Sequence, residues 1–195
     1  EQGYQSAGVL PPIAKVERNG LLPLSFAQQR LWFIEQLLED NNGLYHIPTV
    51  IRIKGNLNEK ALKQAFDYLL SRHEILRTRV VTFDGAGYQE ILDANLGFPL
   101  SFKELEKSKN EDIDSLILHE VSRPFASDKP LCRGLCLKLS EQERILVITF
   151  HHMISDGWSV GIFNKEFSVA YESFAGFTSP NLPALPVQYA DYSMW

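Results

Sequence analysis

The 195 residues include only two cysteines, too few for the disulfide framework that supports a small secreted domain. Cys132 and Cys136 lie in LCRGLCLKL at a spacing that, on a strand, puts both on one face, roughly 13 Å apart at ~3.3 Å per residue and too far apart to bridge. They lack His or Cys companions at metal spacing, so both are read as strand packing, and no metal site is expected. A basic excess is missing as well. The 19 Lys and Arg against 24 Asp and Glu give a net charge of −5, which excludes a cationic field for nucleic-acid phosphates or an anionic membrane.

No apolar run approaches the ~20 residues of a spanning helix, and EQGYQSAGVLPP lacks the basic-then-apolar order of a secretory leader, so the expected compartment is the cytoplasm. The GxGxxG and GxxxxGKS/T phosphate loops, the GxSxG elbow, the HExxH helix and the CxxC pair are all missing. What is present is a 45% hydrophobic composition, enough for one globular core.

Residues 1–21 mix Gly, Ser and Gln with adjacent Pro11 and Pro12 and show no hydrophobic period, as a tether would, so folding is expected to begin at Leu22. Ser25 and Gln28 have capping-box spacing before a helix from Phe26 to about Leu38. Its apolar residues Phe26, Leu31, Phe33, Ile34, Leu37 and Leu38 cover a wide arc, which predicts a largely buried helix. HIPTVIRIKG alternates as a strand, and Asn58 caps a long amphipathic helix carrying Leu62, Ala65, Phe66, Leu69 and Leu70. RTRVVTF and YQEIL flank DGAG as a hairpin, with Arg77 and Arg79 on one face of its first strand.

A helix in EDIDSLILHEVSRPF should stop before Pro124, and PLCRGLCLKL and ERILVITFHH form a strand pair. SVGIFNKEFSVAYESF reads as a further helix, burying Ile162, Phe163, Phe167, Ala170, Tyr171 and Phe174. After it comes an extended proline-containing segment, and a last helix begins near the end. The loose alternation of strands and helices with at least one hairpin points to an α/β fold, a mixed β-sheet layered with helices as an α/β sandwich.

The most unusual segment is FHHMISDGWS. By alternation His151 shares a strand face with Val147 and Thr149, and His152 shares the other with Leu146, Ile148 and Phe150, so the imidazoles diverge and cannot share a metal. A strand end is a rigid mount, and histidine, with an ordinary pKa of about 6.5, takes protons from amines or hydroxyls near neutral pH. The residues alone leave catalysis and polar strand-end packing both open. Asp156 reads as a loop-shaping carboxylate in need of a buried cation, and Arg72, three residues past Leu69, is the candidate. SRHEILRTRV also fits a solvated helix end whose cations complement the dipole.

Together these segments resemble the condensation domain of nonribosomal peptide synthetases, whose lobes have a chloramphenicol acetyltransferase-like fold. LSFAQQRLWF at 24–33 is similar to the family's first signature, RHEILRTRV at 72–80 to its second, FHHMISDGWS at 150–159 to its third and YADYSMW at 189–195 to the start of its fourth, all in family order. HHxxxDG alone is less specific, because other acyltransferases use HxxxD. The resemblance implies that His152 is the functionally central histidine with His151 beside it. It also implies that Asp156 is structural, paired with Arg72 or alternatively Arg77, and that Gly157, Trp158 and Ser159 complete the motif. Ser25 and Arg30 match the first signature, and Trp195 the fourth.

The implied reaction joins an acyl or peptidyl thioester on an upstream donor carrier protein to the amine of an aminoacyl thioester on a downstream acceptor carrier. Both substrates ride on phosphopantetheine, with no cofactor bound directly, and an adenylation domain is the implied neighbour. Residues 22–195 would be the N-terminal lobe, with a C-terminal lobe as partner, and one lobe alone is expected to be inactive. SFAQQRLWF is closer to members taking a D-configured donor end, or to related hybrid types, than to the MQxGMLFH form of L-to-L members. DGWS speaks against an epimerisation domain, and the histidines against heterocyclisation. The alternatives are a carrier-docking lobe without activity of its own and a free-standing acyltransferase.

Overall fold

The structure is a computed structural model and describes residues 10–38, 43–105 and 112–195. The elements run β1 (Leu22–Pro23), α1 (Phe26–Leu37), β2 (His46–Lys54), α2 (Glu59–Arg72), a one-turn 3₁₀ helix (Glu74–Arg77), β3 (Thr78–Phe83), β4 (Ala86–Ile91), β5 (Leu100–Glu104), α3 (Ile113–Ser122), β6 (Cys132–Ser140), β7 (Glu143–His151), α4 (Gly157–Ala175) and α5 (Tyr189–Met194). One sheet has the order β2-β7-β6-β5, and a second has the order β1-β4-β3. Among the described residues only β5 and β6 pair in parallel, so the mixed sheet layered with helices is the observed architecture.

β7 is central, which is why ILVITF reads as an unbroken apolar run rather than an alternation. Leu146, Ile148 and Phe150 meet Leu62, Phe66, Leu69 and Leu70 of α2 and Phe163 of α4 on one face. On the other face Val147 and Ile145 join Leu137 beneath Ile113, Leu116, Ile117 and Val121 of α3. Asn58 caps α2 by accepting from the Ala61 N–H at 3.0 Å, and α2 buries the five predicted apolar residues. At the β3–β4 turn Asp84 and Gly85 both take positive φ, 49° and 73°, the backbone that a two-residue hairpin requires. Cys132 and Cys136 are free thiols buried on the α2 side of β6, and the Cys132 Sγ–H donates to Leu76 O.

Several expectations are corrected. α1 is not largely buried: Phe26 is 91% exposed, and Phe33 and Leu37 also face outward, because this helix lies at the rim of the sheets and turns polar Gln28 inward instead. Ile162 of α4 is likewise exposed. Arg77 closes the 3₁₀ turn rather than starting a strand, so it does not share a strand face with Arg79. β5 was not anticipated, and α4 starts two residues before Ser159.

The proposed tether begins outside the described residues, but its later part is docked. The Val16 N–H donates to Asp191 Oδ1 at 2.9 Å, Arg18 pairs with Asp191 and Glu74 at 2.8 Å each, and Trp195 Nε1–H donates to Pro11 O at 2.7 Å. Packed chain therefore begins upstream of Leu22. Among the described residues no helix is long and apolar enough to cross a membrane, and no cluster of His, Cys, Asp and Glu could hold a metal ion.

Candidate active site

β7 ends at His151, paired across the sheet with His46 of β2, and the chain then turns through His152, Met153 and Ile154. Four backbone groups of this turn are tied down. The His152 N–H donates to Tyr45 O at 2.8 Å, the Met153 N–H to His151 Nδ1 at 3.1 Å and the Ile154 N–H to His151 O at 3.0 Å, while Met153 O accepts from Gln28 Nε2 at 3.1 Å. The two imidazoles diverge as alternation predicted, although His152 belongs to the turn and not the strand. His151 is 4% exposed and enclosed by the rings of Tyr45, His46 and Phe125. His152 is exposed, and its imidazole has no hydrogen-bond partner among the described residues. It lines a cavity of about 520 Å³ with Arg30, Tyr45, Ile75, Trp158 and Tyr189.

On the far side of the turn, His151, Glu35 and Trp32 border a second cavity of about 630 Å³ together with His46, Arg79 and Phe125. Burial lowers the His46 pKa, and the positive charge of Arg133 adds to this effect against the bond from His46 Nδ1–H to Val121 O.

Asp156 is not the ion-pair partner it was expected to be. It is the N-cap of α4, accepting from the Ser159 N–H at 2.8 Å and from the Ser159 hydroxyl at 2.7 Å, while its own N–H donates to Ser159 Oγ at 2.7 Å. These bonds hold its carboxyl below the usual carboxylate range. Arg72 instead grips Glu166 with Nε and Nη2 at 3.0 and 3.2 Å and donates to Pro183 O at 2.7 Å, and His73 Nε2 meets the same Glu166 at 2.6 Å. Burial pushes the Glu166 carboxyl up, but Arg72 and His73 outweigh it and leave it below its ordinary value. Glu166 lies ten residues beyond Asp156, roughly 15 Å along a helix rising ~1.5 Å per residue, so an arginine seated there cannot reach the cap.

Arg77, the alternative partner, donates to Leu92 O and comes within 3.8 Å of Glu74. Among the described residues no ion pair joins Asp156 to either arginine. Gly157 is not forced by local packing, since a Cβ there would meet nothing within 4 Å. Trp158 is 81% exposed, and Ser159 completes the cap.

The first and fourth signature segments meet here. The Ser25 hydroxyl lies 2.9 Å from the Tyr189 hydroxyl, and the expected capping box is present, with the Ser25 N–H donating to Gln28 Oε1 and the Gln28 N–H to Ser25 Oγ. Arg30 reaches the His152 cavity, whereas Trp195 packs at the Pro11 edge and not in that cavity. Sequence reasoning missed Glu35, whose Oε1 lies 2.6 Å from His151 Nε2, and Tyr45, Glu166 and Asp191. For Glu35 a signal existed. It falls seven residues after Gln28, on the same side of α1, a second polar residue on the face that turns inward.

A family profile described as Condensation domain matches residues 18–195. The chain is 38% identical to a linear gramicidin synthase polypeptide of Brevibacillus parabrevis over 94% of its own length, and 39% identical to malpibaldin synthetase of Mortierella alpina over 100%. It spans only 2% and 4% of those proteins. Among solved structures it is similar to the X-domain from teicoplanin biosynthesis in complex with OxyB, with a TM-score of 0.84 and 27% identity over 97% of this chain and 41% of that one. The starter condensation domain of rhizomide synthetase RzmA shares the fold, with a TM-score of 0.71 at 20% identity over 86% of this chain and 41% of that one.

Proposed function

The chain belongs to the condensation-domain family of nonribosomal peptide synthetases, and from that premise we propose that it is the lobe carrying the histidine at which a carrier-bound amine is joined to a carrier-bound thioester. The observation that carries this reading is His152. Its imidazole is unpartnered among the described residues and faces a cavity of about 520 Å³, on a backbone tied to Tyr45 and Gln28. In the proposed step the acceptor amine attacks the donor thioester carbon, a C–N bond forms and the C–S bond breaks. The proton leaving nitrogen passes to His152 and on to the departing thiolate. Holding two tethered reactants in line supplies ~7–11 kcal/mol, against ~3–5.5 kcal/mol from a general base worth 10²–10⁴-fold, so His152 acts in orienting the amine as well as in accepting its proton.

In this reading the donor and acceptor are carried on phosphopantetheine by upstream and downstream carrier proteins, in the cytoplasm beside an adenylation domain. A C-terminal lobe closes the other side of the site, where the two phosphopantetheine arms meet. Arg72 and Asp156 support the site separately, one by holding α2 to α4 through Glu166 and the other by starting α4.

A docking role is favoured by one comparison, the likeness to an X-domain solved with OxyB. Single-turnover condensation by the complete domain, with loaded donor and acceptor carriers and mass-spectrometric readout, separates the two. Loss of product in a folded His152→Ala variant with unchanged carrier affinity supports the catalytic reading. Full product in that variant overturns it and leaves docking.

A further inference from the structure

The geometry points to Glu35 as a positioning residue that, together with the Met153 N–H, holds the His151 ring in one tautomer and thereby steadies the turn that carries His152. This rests on the condensation reading, but it follows from hydrogen-bond roles that allow one arrangement. A backbone N–H can only donate, so the 3.1 Å contact from Met153 N makes His151 Nδ1 the acceptor and leaves that nitrogen without a proton. The proton of the neutral ring then sits on Nε2, where the Glu35 carboxylate accepts it at 2.6 Å. The opposite tautomer would set an Nδ1–H against the Met153 N–H and leave Nε2 without its proton before Glu35, two unfavourable contacts inside a site where His151 is 4% exposed.

The link to His152 runs through the backbone. Met153 is held on its N–H by the His151 ring and on its C=O by Gln28, while the His152 N–H is held by Tyr45. Glu35 and Gln28 therefore grip one turn from points about two helical turns apart on α1, Gln28 directly and Glu35 through the imidazole. The His152 ring has no hydrogen-bond partner among the described residues, so the tied peptide groups set where its side chain leaves the turn, with the Asp156 carboxylate near enough to act on it electrostatically. A displacement of about 1 Å at a reacting group costs on the order of 10²-fold in rate.

The test compares Glu35→Gln, which keeps an oxygen acceptor, with Glu35→Leu, which does not, in the complete domain with loaded carriers. The ring tautomer of His151 is read by NMR of ¹⁵N-histidine-labelled protein. Wild type and Glu35→Gln should show the Nε2–H form and turnover within a few-fold of each other. The Met153 N–H still favours the Nε2–H form in Glu35→Leu, so this variant should show a mixture of the two tautomers and lose about 10–100-fold in kcat, with KM for the loaded carriers unchanged. Overturning results are a ring wholly in the Nε2–H form in Glu35→Leu, a wild-type His151 that is protonated on Nδ1, or an altered tautomer with kcat intact. A wild type that makes no peptide would instead overturn the condensation reading, while the tautomer spectra still decide whether Glu35 sets the ring.

Discussion

Asp191 offers the most quantitative test of how this chain is held together. Its carboxylate is 1% exposed and collects three partners, two from distant chain and one local: Oδ1 takes the Arg18 guanidinium at 2.8 Å and the Val16 N–H at 2.9 Å, and Oδ2 takes the N–H of Gln188, three residues before it, at 2.7 Å. Burial pushes its pKa up, but Arg18 and the two N–H groups overcome that and bring it down to about 2. Against an unfolded value of about 3.9, this difference corresponds to roughly 2–3 kcal/mol of stability. The folded pKa is the lower one, so the contribution is complete above pH ~4 and is lost as pH falls through 2. Asp191→Asn should therefore lower stability at pH 7 by about 2–3 kcal/mol, or roughly 5–10 °C in Tm for a chain of this size, and should flatten the acid limb of a urea-unfolding series between pH 5 and 2. An Asn variant with a wild-type urea midpoint at pH 7, or a wild type equally stable at pH 5 and pH 2, would refute the reasoning.

Two further outcomes follow from packing and burial. A methyl group on Gly87 would lie 2.7 Å from Trp32 Cδ2 and 2.8 Å from Leu24 Cδ1, so Gly87→Ala should cost about 1–3 kcal/mol by thermal unfolding, and a neutral effect would show that the Trp32 wall yields. Burial raises the pKa of both thiols, Cys136 to about 11, so Ellman's reagent at pH 8 should label Cys132 and Cys136 only as the protein unfolds; stoichiometric labelling of the native state within minutes would contradict that.

The parts of this molecule written in local pattern were legible before any coordinates. The Ser25–Gln28 capping box, the Asn58 cap, the α2 stripe and the Asp84–Gly85 hairpin each depend on residues within a few positions of one another, where periodicity and backbone preference decide. β5 was missed because LSFKE is a short edge strand whose alternation is weak and whose pairing with β6 is parallel and distant in sequence. The burial of α1 was misjudged because hydrophobic arc width says nothing about whether an element sits at the rim, and Phe26 and Phe33 are left outside. At the site, His152 and its cavity-facing exposure could be anticipated from the strand end. The Glu35–His151 and Arg72–Glu166 contacts could not, since each joins residues about a hundred positions apart and depends on which helices meet in space. The Asp156–Arg72 pairing failed for a local reason that was available: an aspartate three residues before Ser159 at a helix start satisfies itself as a cap.

The register that sets His46 opposite His151, and the bond from the His152 N–H to Tyr45, bear on how the molecule assembles in time. β6 and β7 are adjacent hairpin strands that can meet early, whereas β2 must return to β7 across about 100 residues, the kind of non-local closure that comes late and slowly. The turn carrying His152 stands at the far end of that seam and takes its shape only when the seam is zipped. A chain arrested with its helices formed and β2 unpaired would carry every signature residue yet have no aimed histidine. On the proposed function, selection for turnover would also be selection for completed folding.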